Sequence, residues 1–291
     1  MRSLRKLSLI LATVGRTNEL HRLFDSLATQ TFSDFEIIVV DQNTDQRLQA
    51  IVTRARCLGL VIRHLRHHPP NLALARNAGS DIATGQWLGF PDDDCWYEPD
   101  SLTRIMERTQ QADAPQGVIC QWVEQNDMHP AGLLSWKRSS RFRDYPVSSI
   151  TLFMRRKLIL DVGGFDGRLG IGQWFGAGEE TDIVLRALRT GAVIAHEPSA
   201  KIHHRVDTEH DPRSQVARRS ALLRARGTGA MYAKHNLPLW VIIRGLFSPL
   251  IKPLAKGHLG AEFKQGIAIA LGRLTGWIHW YNQQRRSRKT P

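Results

Sequence analysis

Apolar and polar positions follow two alternating rhythms along roughly the first hundred residues. Residues 6–12, 35–40 and 87–90 are short, near-continuous apolar runs, and 61–65 is a fourth, weaker one. Runs of this length without a polar face predict strands buried on both sides of a parallel sheet. Between them, residues 18–28, 46–58 and 72–81 read as helices. Another helix is expected from Asp100, with Pro99 beside its capping position. The order β-α-β-α-β-α-β predicts an α/β fold with a doubly wound, mostly parallel sheet flanked by helices. Such sheets bind ligands at the carboxyl ends of their strands. Acidic residues fall at two of these ends: Asp41 after the second strand, and Asp92, Asp93 and Asp94 after the fourth.

The middle of the chain is less regular. Residues 118–123 and 149–154 predict strands, and 156–162 a short helix stopped by Gly163 and Gly164. Residues 167–178 hold five glycines together with Trp174 and Phe175, and read as a mobile loop. A helix over 180–190, stopped by Gly191, and a short last strand over 200–203 follow. Beyond this the character changes. Residues 214–234 and 258–284 read as helices; 237–247 is apolar but broken by Arg244 and punctuated by Pro249 and Pro253. The expected boundary lies near residue 212, between an α/β domain over 1–212 and a basic helical segment over 213–291.

Charge sharpens that boundary. Fifteen of the 40 basic residues but one of the 27 acids, Glu262, lie in 213–291. The segment therefore carries about +14 of the formal +13, and the preceding residues are close to neutral. A basic end on a neutral body suits an anionic partner. The three cysteines, Cys57, Cys95 and Cys120, are widely spaced and form no CxxC pair. Neither a disulfide framework nor a zinc site is indicated, and a reducing, cytoplasmic setting is expected. The basic start and short apolar run of 1–14 imitate a signal peptide but lack a small-x-small cleavage site, so a buried first strand is expected. No uninterrupted apolar run reaches the length of a membrane-spanning helix.

Three adjacent carboxylates repel one another and need solvent, a basic partner or a cation. Oxygen-only ligands at a strand end suit Mg²⁺ or Mn²⁺, which take few protein carboxylates and fill other positions with water or phosphate oxygens. Glu179, Glu180 and Asp182 open a helix behind the glycine-rich loop. Acids in a first turn favour the helix dipole, and one of them could also serve as a general base. His203 and His204 are adjacent on a strand and point to opposite faces, so at most one reaches a given site. Arg76, in NLALARNAG, is either a surface residue or a phosphate partner.

Taken in order, these pieces resemble the family 2 glycosyltransferases, whose fold is called GT-A. LSLILATVGR is similar to the family's first strand and nucleotide-binding turn, and EIIVVDQNTD to its second strand with a base-recognising aspartate. WLGFPDDDCWYEPD looks like its DxD segment, and GGFDGRLGIGQWFGAGEETDIVLRAL like its acceptor loop and catalytic-base helix. The resemblance spans about 7–205. It implies transfer of a sugar from a nucleotide-diphosphate sugar to a hydroxyl acceptor, lipid-linked or saccharide, with inversion of configuration and a divalent cation as cofactor. By position, Thr13, Arg16, Asp41 and Asp45 would line the nucleoside pocket, with Asp41 on the base. Arg76 would lie near the diphosphate and Asp93 toward the ribose or sugar. Asp92, Asp94 and His204 would serve the metal, with His203 as competitor for His204. Glu180 would be the base, with Asp182 its rival, and Trp174, Phe175 and Glu179 would belong to the acceptor loop. Two departures stand out: the base is Glu preceded by Glu where the family has Asp preceded by Glu, and QNT replaces a Gly/Ser-rich turn.

The basic segment, with Trp277 and Trp280 near one end, is expected to hold the chain peripherally on an anionic membrane surface, the inner face of the plasma membrane. Packing of these helices on the α/β domain with a solvated basic face is the alternative. Nucleotidyltransferases share this fold, but TVGRTNEL lacks their glycine-rich basic first loop. Nucleic-acid binding is not expected, because the basic residues follow the fold and no motif accompanies them. A catalytically inactive scaffold or a polyanion-binding protein is the remaining alternative.

Overall fold

The computed structural model describes residues 5–125, 129–143, 147–205, 214–255, 257 and 260–287. The expected domain junction at 212 and His210 lie outside the described residues. The elements are β1 (Leu7–Thr13), α1 (Glu19–Ala28), β2 (Phe35–Asp41), α2 (Gln49–Cys57), β3 (Ile62–Arg66), α3 (Leu72–Ile82), β4 (Trp87–Gly89), β5 (Cys95–Tyr97), α4 (Ser101–Arg108), β6 (Gly117–Trp122), β7 (Gly132–Leu133), α5 (Trp136–Ser139), β8 (Leu152–Arg155), α6 (Arg156–Asp161), α7 (Glu179–Arg189), β9 (Ile194–His204), α8 (Gln215–Lys234), α9 (Leu239–Ala255) and α10 (Ala261–Ser287). They divide into two compact units. The first comprises Met1–Ser139, Arg143–Phe165 and Ile183–Val206; the second comprises Ser140–Phe142, Asp166–Asp182 and Asp207–Pro291. Helix α7 thus begins in the second unit and continues into the first.

In the first unit the strands order as β3-β2-β1-β4-β8-β6-β9-β5, with β7 paired to β9. The pairs β1–β2, β1–β4, β2–β3 and β6–β9 are parallel, whereas β8 runs antiparallel between β4 and β6, and β5 runs antiparallel to β9. Strands β1 and β2 are buried along their whole length, as their unbroken apolar runs require. Leu7, Leu9 and Leu11 of β1 pack on one face with Phe24, Leu102 and Ile105. Ile10 and Ala12 pack on the other with Ala73, Ala75 and Ile183. This period-two alternation gives each strand two core faces, and each fully buried leucine or isoleucine contributes about 1.5–3 kcal/mol. Helix α3 is capped by Asn71, whose side chain accepts from Leu74 N. It is clasped by Asn77, which donates to Phe165 O and accepts from Phe165 N, both at 2.8 Å.

Two differences from the sequence expectation matter for the site. Strand β9 starts at Ile194, well before residue 200, and an additional strand, β5, follows the three aspartates directly. The pairing Cys95↔His204 and Trp96↔His203 sets the end of β9 beside the aspartates. A three-residue strand has too few positions for a period to show, so only its pairing reveals it.

In the second unit, α8 and α10 approach at their backbones. A Cβ on Gly229 would stand 2.0 Å from Arg273 O, and one on Gly276 2.1 Å from Arg226 O. Only glycine permits this spacing. Helix α9 runs through Pro249 and Pro253, where the sequence pattern suggested breaks. Proline at 249 cannot donate to the carbonyl four residues earlier. That carbonyl, Gly245 O, instead accepts from Arg273 Nη1 of α10, so the lost helical bond is replaced.

Candidate active site

The first unit gathers its polar side chains at the carboxyl ends of β1 and β4. Thr13, last residue of β1, donates through Oγ1 to Asp93 Oδ2 at 2.7 Å. Arg16, three residues on, reaches Asp93 Oδ1 at 2.7 Å and Asp94 Oδ2 at 2.5 Å. Arg76 is 1% exposed, so it is not a surface residue; its Nη2 lies 3.0 Å from Asp92 Oδ1. Ser149 Oγ stands 3.4 Å from the same oxygen. Two arginines thus offset three carboxylates, which answers the mutual repulsion of the DDD run.

The three aspartates are not equivalent. Burial pushes the Asp93 carboxyl above its ordinary pKa, despite the Thr13 hydrogen bond and Arg16. Burial also acts on Asp94, but His204 and Arg16 outweigh it and hold this carboxyl below its ordinary value. His204 Nε2 lies 2.9 Å from Asp94 Oδ1. Burial disfavours the His204 imidazolium, yet Asp94 prevails and the pKa is raised. His204 Nδ1 donates to Arg205 O at 2.8 Å, which leaves Nε2 as the lone-pair nitrogen of the neutral ring.

His203 faces elsewhere. Its Nδ1 lies 2.9 Å from Glu124 Oε1, its Nε2 3.5 Å from Glu98 Oε1, and its ring stacks on Trp96 at 5.1 Å. Glu124 also accepts from His204 N at 3.0 Å, so one carboxylate fixes both histidines.

These residues fit a divalent cation of restricted kind. Among the described residues, no group of three His, Cys, Asp or Glu side chains converges as a metal site. Asp94 Oδ1 is buried and, though close to His204 Nε2, has no aligned hydrogen-bond partner among the described residues. Two neighbouring ligands on an octahedral ion with bonds of about 2.1 Å stand about 3 Å apart, which matches the 2.9 Å between these atoms. The pair suits an ion that draws its remaining ligands from phosphate and water.

Asp41 is fully buried at the end of β2. Its Oδ1 accepts from Asn43 N and Asn43 Nδ2 at 2.9 and 2.8 Å, and its Oδ2 lies 2.9 Å from His64 Nε2 and 3.3 Å from Arg66 Nη1. Asp45 is not brought to it: it is exposed, pairs with Arg47, and is held down to about 2 by that hydrogen bonding. The QNT departure has a structural role. Asn43 Oδ1 accepts from Gly15 N at 2.7 Å, and Gln42 Oε1 from Asn71 N at 2.7 Å, so this turn ties together those after β1 and before α3. Sequence reading gave no role to His64, Arg66, Asn43 or Ser149: Asn43 stands in the QNT turn, His64 and Arg66 share β3, and Ser149 comes from a distant segment before β8.

The second unit holds Trp174, Phe175, Glu179, Glu180 and Asp182. The expected mobile loop is anchored here. Phe175 is buried against Trp280, with ring centroids 5.1 Å apart. Trp174 stacks on His279 at 4.2 Å, and the Arg226 guanidinium lies 4.3 Å from its ring. Glu179 is buried, whereas Glu180 is half-buried and lines a cavity of about 580 Å³. Asp182 is fully buried; its carboxylate lies 2.8 Å from Lys234 Nζ and 3.0 Å from His235 Nε2. Lys234 also pairs with Asp166 at 2.7 Å. Burial works against the Asp166 carboxylate, but Arg168 and Lys234 outweigh it and hold its pKa far below the usual range.

The Glycosyl transferase family 2 profile matches residues 8–163, more than half of the chain. Succinoglycan biosynthesis protein ExoM of Rhizobium meliloti is 28% identical over 223 residues, 70% of this chain and 68% of ExoM. A PGL/p-HBAD biosynthesis glycosyltransferase of Mycobacterium bovis is 38% identical over 100 residues, 34% of this chain. The chain spans 39% of the length of that mycobacterial relative. Among solved structures, mannosyltransferase PcManGT from Pyrobaculum calidifontis, in complex with GDP-Man and Mn²⁺, matches at TM-score 0.63 and 16% identity, over 100% of this chain and 82% of that one. S. aureus TarS 1-349 in complex with UDP-GlcNAc matches at TM-score 0.59 and 16% identity, over 93% of this chain and 92% of that one. At such identities the likeness shows the fold alone, and that fold is GT-A. With its ordered sequence pieces, its sheet and the profile match in agreement, the chain belongs to glycosyl transferase family 2.

Proposed function

We propose that this chain transfers a sugar from a nucleoside-diphosphate donor to a hydroxyl of a lipid-linked or saccharide acceptor, with inversion at the anomeric carbon. The observation that carries the reading is the convergence of Thr13, Arg16, Arg76, Asp92, Asp93, Asp94 and His204 at the strand ends of the first unit. Arg16 and Arg76 offer guanidiniums to the diphosphate, exchanging carboxylate partners for phosphate oxygens. Asp94 and His204 would hold a divalent cation, Mn²⁺ or Mg²⁺, with Asp92 beside them. When bound, the cation neutralises charge on the departing diphosphate. Thr13, Asp93 and Asp41 position the nucleoside and sugar.

Glu180 acts as general base. It removes the proton of the acceptor hydroxyl while that oxygen bonds to the anomeric carbon. The bond from that carbon to the diphosphate breaks on the opposite face, and the nucleoside diphosphate leaves with the electron pair. Asp182 is assigned a different task in this reading, because its buried carboxylate engages Lys234 and His235. It anchors the start of α7 instead. PcManGT and TarS were solved with nucleotide sugars, and the relatives named for PGL/p-HBAD and succinoglycan biosynthesis favour a surface-glycan acceptor.

A test is thermal stabilisation by a panel of nucleotide sugars with and without Mn²⁺, on wild type and Asp94→Ala. A ligand at 100 times its Kd stabilises by about 2.7 kcal/mol. One nucleotide sugar is expected to stabilise wild type with metal and to lose that metal-dependent part in Asp94→Ala. Equal stabilisation of both proteins would remove Asp94 from the cation site. Stabilisation by no donor would favour an inactive scaffold.

The same reading places the chain peripherally on an anionic membrane surface, at the cytoplasmic face. Among the described residues no helix is long and apolar enough to cross a membrane. Helix α9, however, exposes Trp240, Ile243, Phe247, Ile251 and Leu254, three or four residues apart on one face. Basic residues near a charged bilayer contribute about 1 kcal/mol each. Co-sedimentation with phosphatidylglycerol vesicles is expected to exceed that with phosphatidylcholine and to fall in Phe247→Glu. Equal sedimentation with both lipids would count against the attachment.

A further inference from the structure

Two cavities lie along the helices of the second unit. The first, about 580 Å³, is lined by Glu180 of α7 and by Ala217, Ala221 and Arg224 of α8. The second, about 520 Å³, is lined by Tyr232 of α8 and by Val241 and Arg244 of α9. Phe142, Thr228, Ile269 and Arg273 line both, so the two are ends of one trough. Along α8 its lining runs from Ala217 to Tyr232, roughly 22 Å of helix at 1.5 Å per residue.

The chemistry of the lining is specific. The walls are mainly alanine, isoleucine, valine, methionine and aromatic rings, with Thr181, Thr228, Ser248 and Gln265 as neutral polar members. Among the described residues, the ionisable cations of the lining are Arg224, Arg244 and Arg273, and the single acid is Glu180. Arg224 Nη2 donates to Ser220 Oγ at 3.0 Å, Arg244 to Arg141 O, and Arg273 to Gly245 O. Among the described residues no carboxylate pairs with any of the three. Arg273 Nε is also buried, with no hydrogen-bond partner among the described residues. Arg224 is exposed at the rim, and such an excess of cation along a largely apolar trough favours an anion attached to an apolar body.

We propose that the trough is the acceptor site and that the acceptor is an anionic amphiphile. Its hydroxyl-bearing end lies at Glu180, its anionic group against Arg224 and Arg273, and its apolar tail past Ile269 and Val241 toward α9. Arg224 and Arg273 thereby become specificity residues, selecting a charged lipid-like acceptor over a neutral glycan. The proposal rests on Glu180 as the base, and its test reads binding without turnover.

The probe is decyl phosphate, with decanol and inorganic phosphate as controls, titrated calorimetrically into the full chain in EDTA. Decyl phosphate is expected to bind at least tenfold more tightly than either control. Arg224→Ala should weaken decyl phosphate about tenfold and leave decanol unchanged. Ala221→Trp, which fills the trough, should weaken both decyl ligands; unchanged melting by circular dichroism verifies the fold of each variant. Equal affinity for decanol and decyl phosphate, wild-type binding in both variants, or displacement of the probe by a nucleoside diphosphate would each overturn the proposal. Glu180→Gln is expected to retain probe binding. If that variant also turned over normally, the base assignment alone would fall, and the trough would stand on its binding data.

Discussion

Turnover of the Glu180→Gln variant is expected to fall by about 10²–10⁴-fold, the usual contribution of a positioned general base. The substitution preserves size and hydrogen-bonding reach but removes the group that accepts the proton. Glu180 is half-buried at a cavity wall, so the variant should melt as wild type does. Donor-induced stabilisation should also persist, because the carboxylates and arginines proposed to bind the donor lie in the first unit. Initial rates, melting temperature and donor stabilisation measured on one preparation separate these effects. Undiminished turnover would sink the assignment; lost turnover together with lost donor stabilisation would recast Glu180 as a binding residue.

The adjacent acid should behave in the opposite way. Asp182→Ala removes the carboxylate shared by Lys234 and His235 in a fully buried position. Breaking a buried ion pair from one side costs about 3–5 kcal/mol. At about 2–4 °C per kcal/mol for a chain of this size class, the melting temperature should fall by roughly 6–20 °C. Any decline in turnover should follow the folded fraction and recover at lower temperature. An unchanged melting temperature with abolished turnover would instead make Asp182 the base. Two acids in one helical turn thus have separable signatures, one kinetic and one thermodynamic.

The sequence separates these acids poorly, because both occupy the first turn of α7 and both suit the helix dipole. What sets Asp182 apart is its contact with Lys234, the last residue of α8, and with His235 just beyond, about fifty residues later. The same holds for the histidines. Strand geometry already states that His203 and His204 face opposite ways. The pairing of β5 with β9 decides that His204 meets Asp94 while His203 turns to Glu98 and Glu124. Arg76 looks like a surface arginine in isolation, yet α3 buries it beneath Asp92.

The sequence by itself determined the sheet's first four strands, the helices between them and the acidic strand end, because those depend on local runs and periods. It also determined the family, through the order of its pieces. Tertiary structure decided what long-range contact controls. It continued α9 through two prolines, where Arg273 takes up a carbonyl that proline cannot serve. It anchored a glycine-rich loop through Trp174 and Phe175. It also opened a cation-lined trough along three helices whose sequence shows only that they are basic and partly apolar. A linear pattern records which side chains a segment carries; which distant carboxylate, carbonyl or cavity each one meets is fixed only when the segments pack.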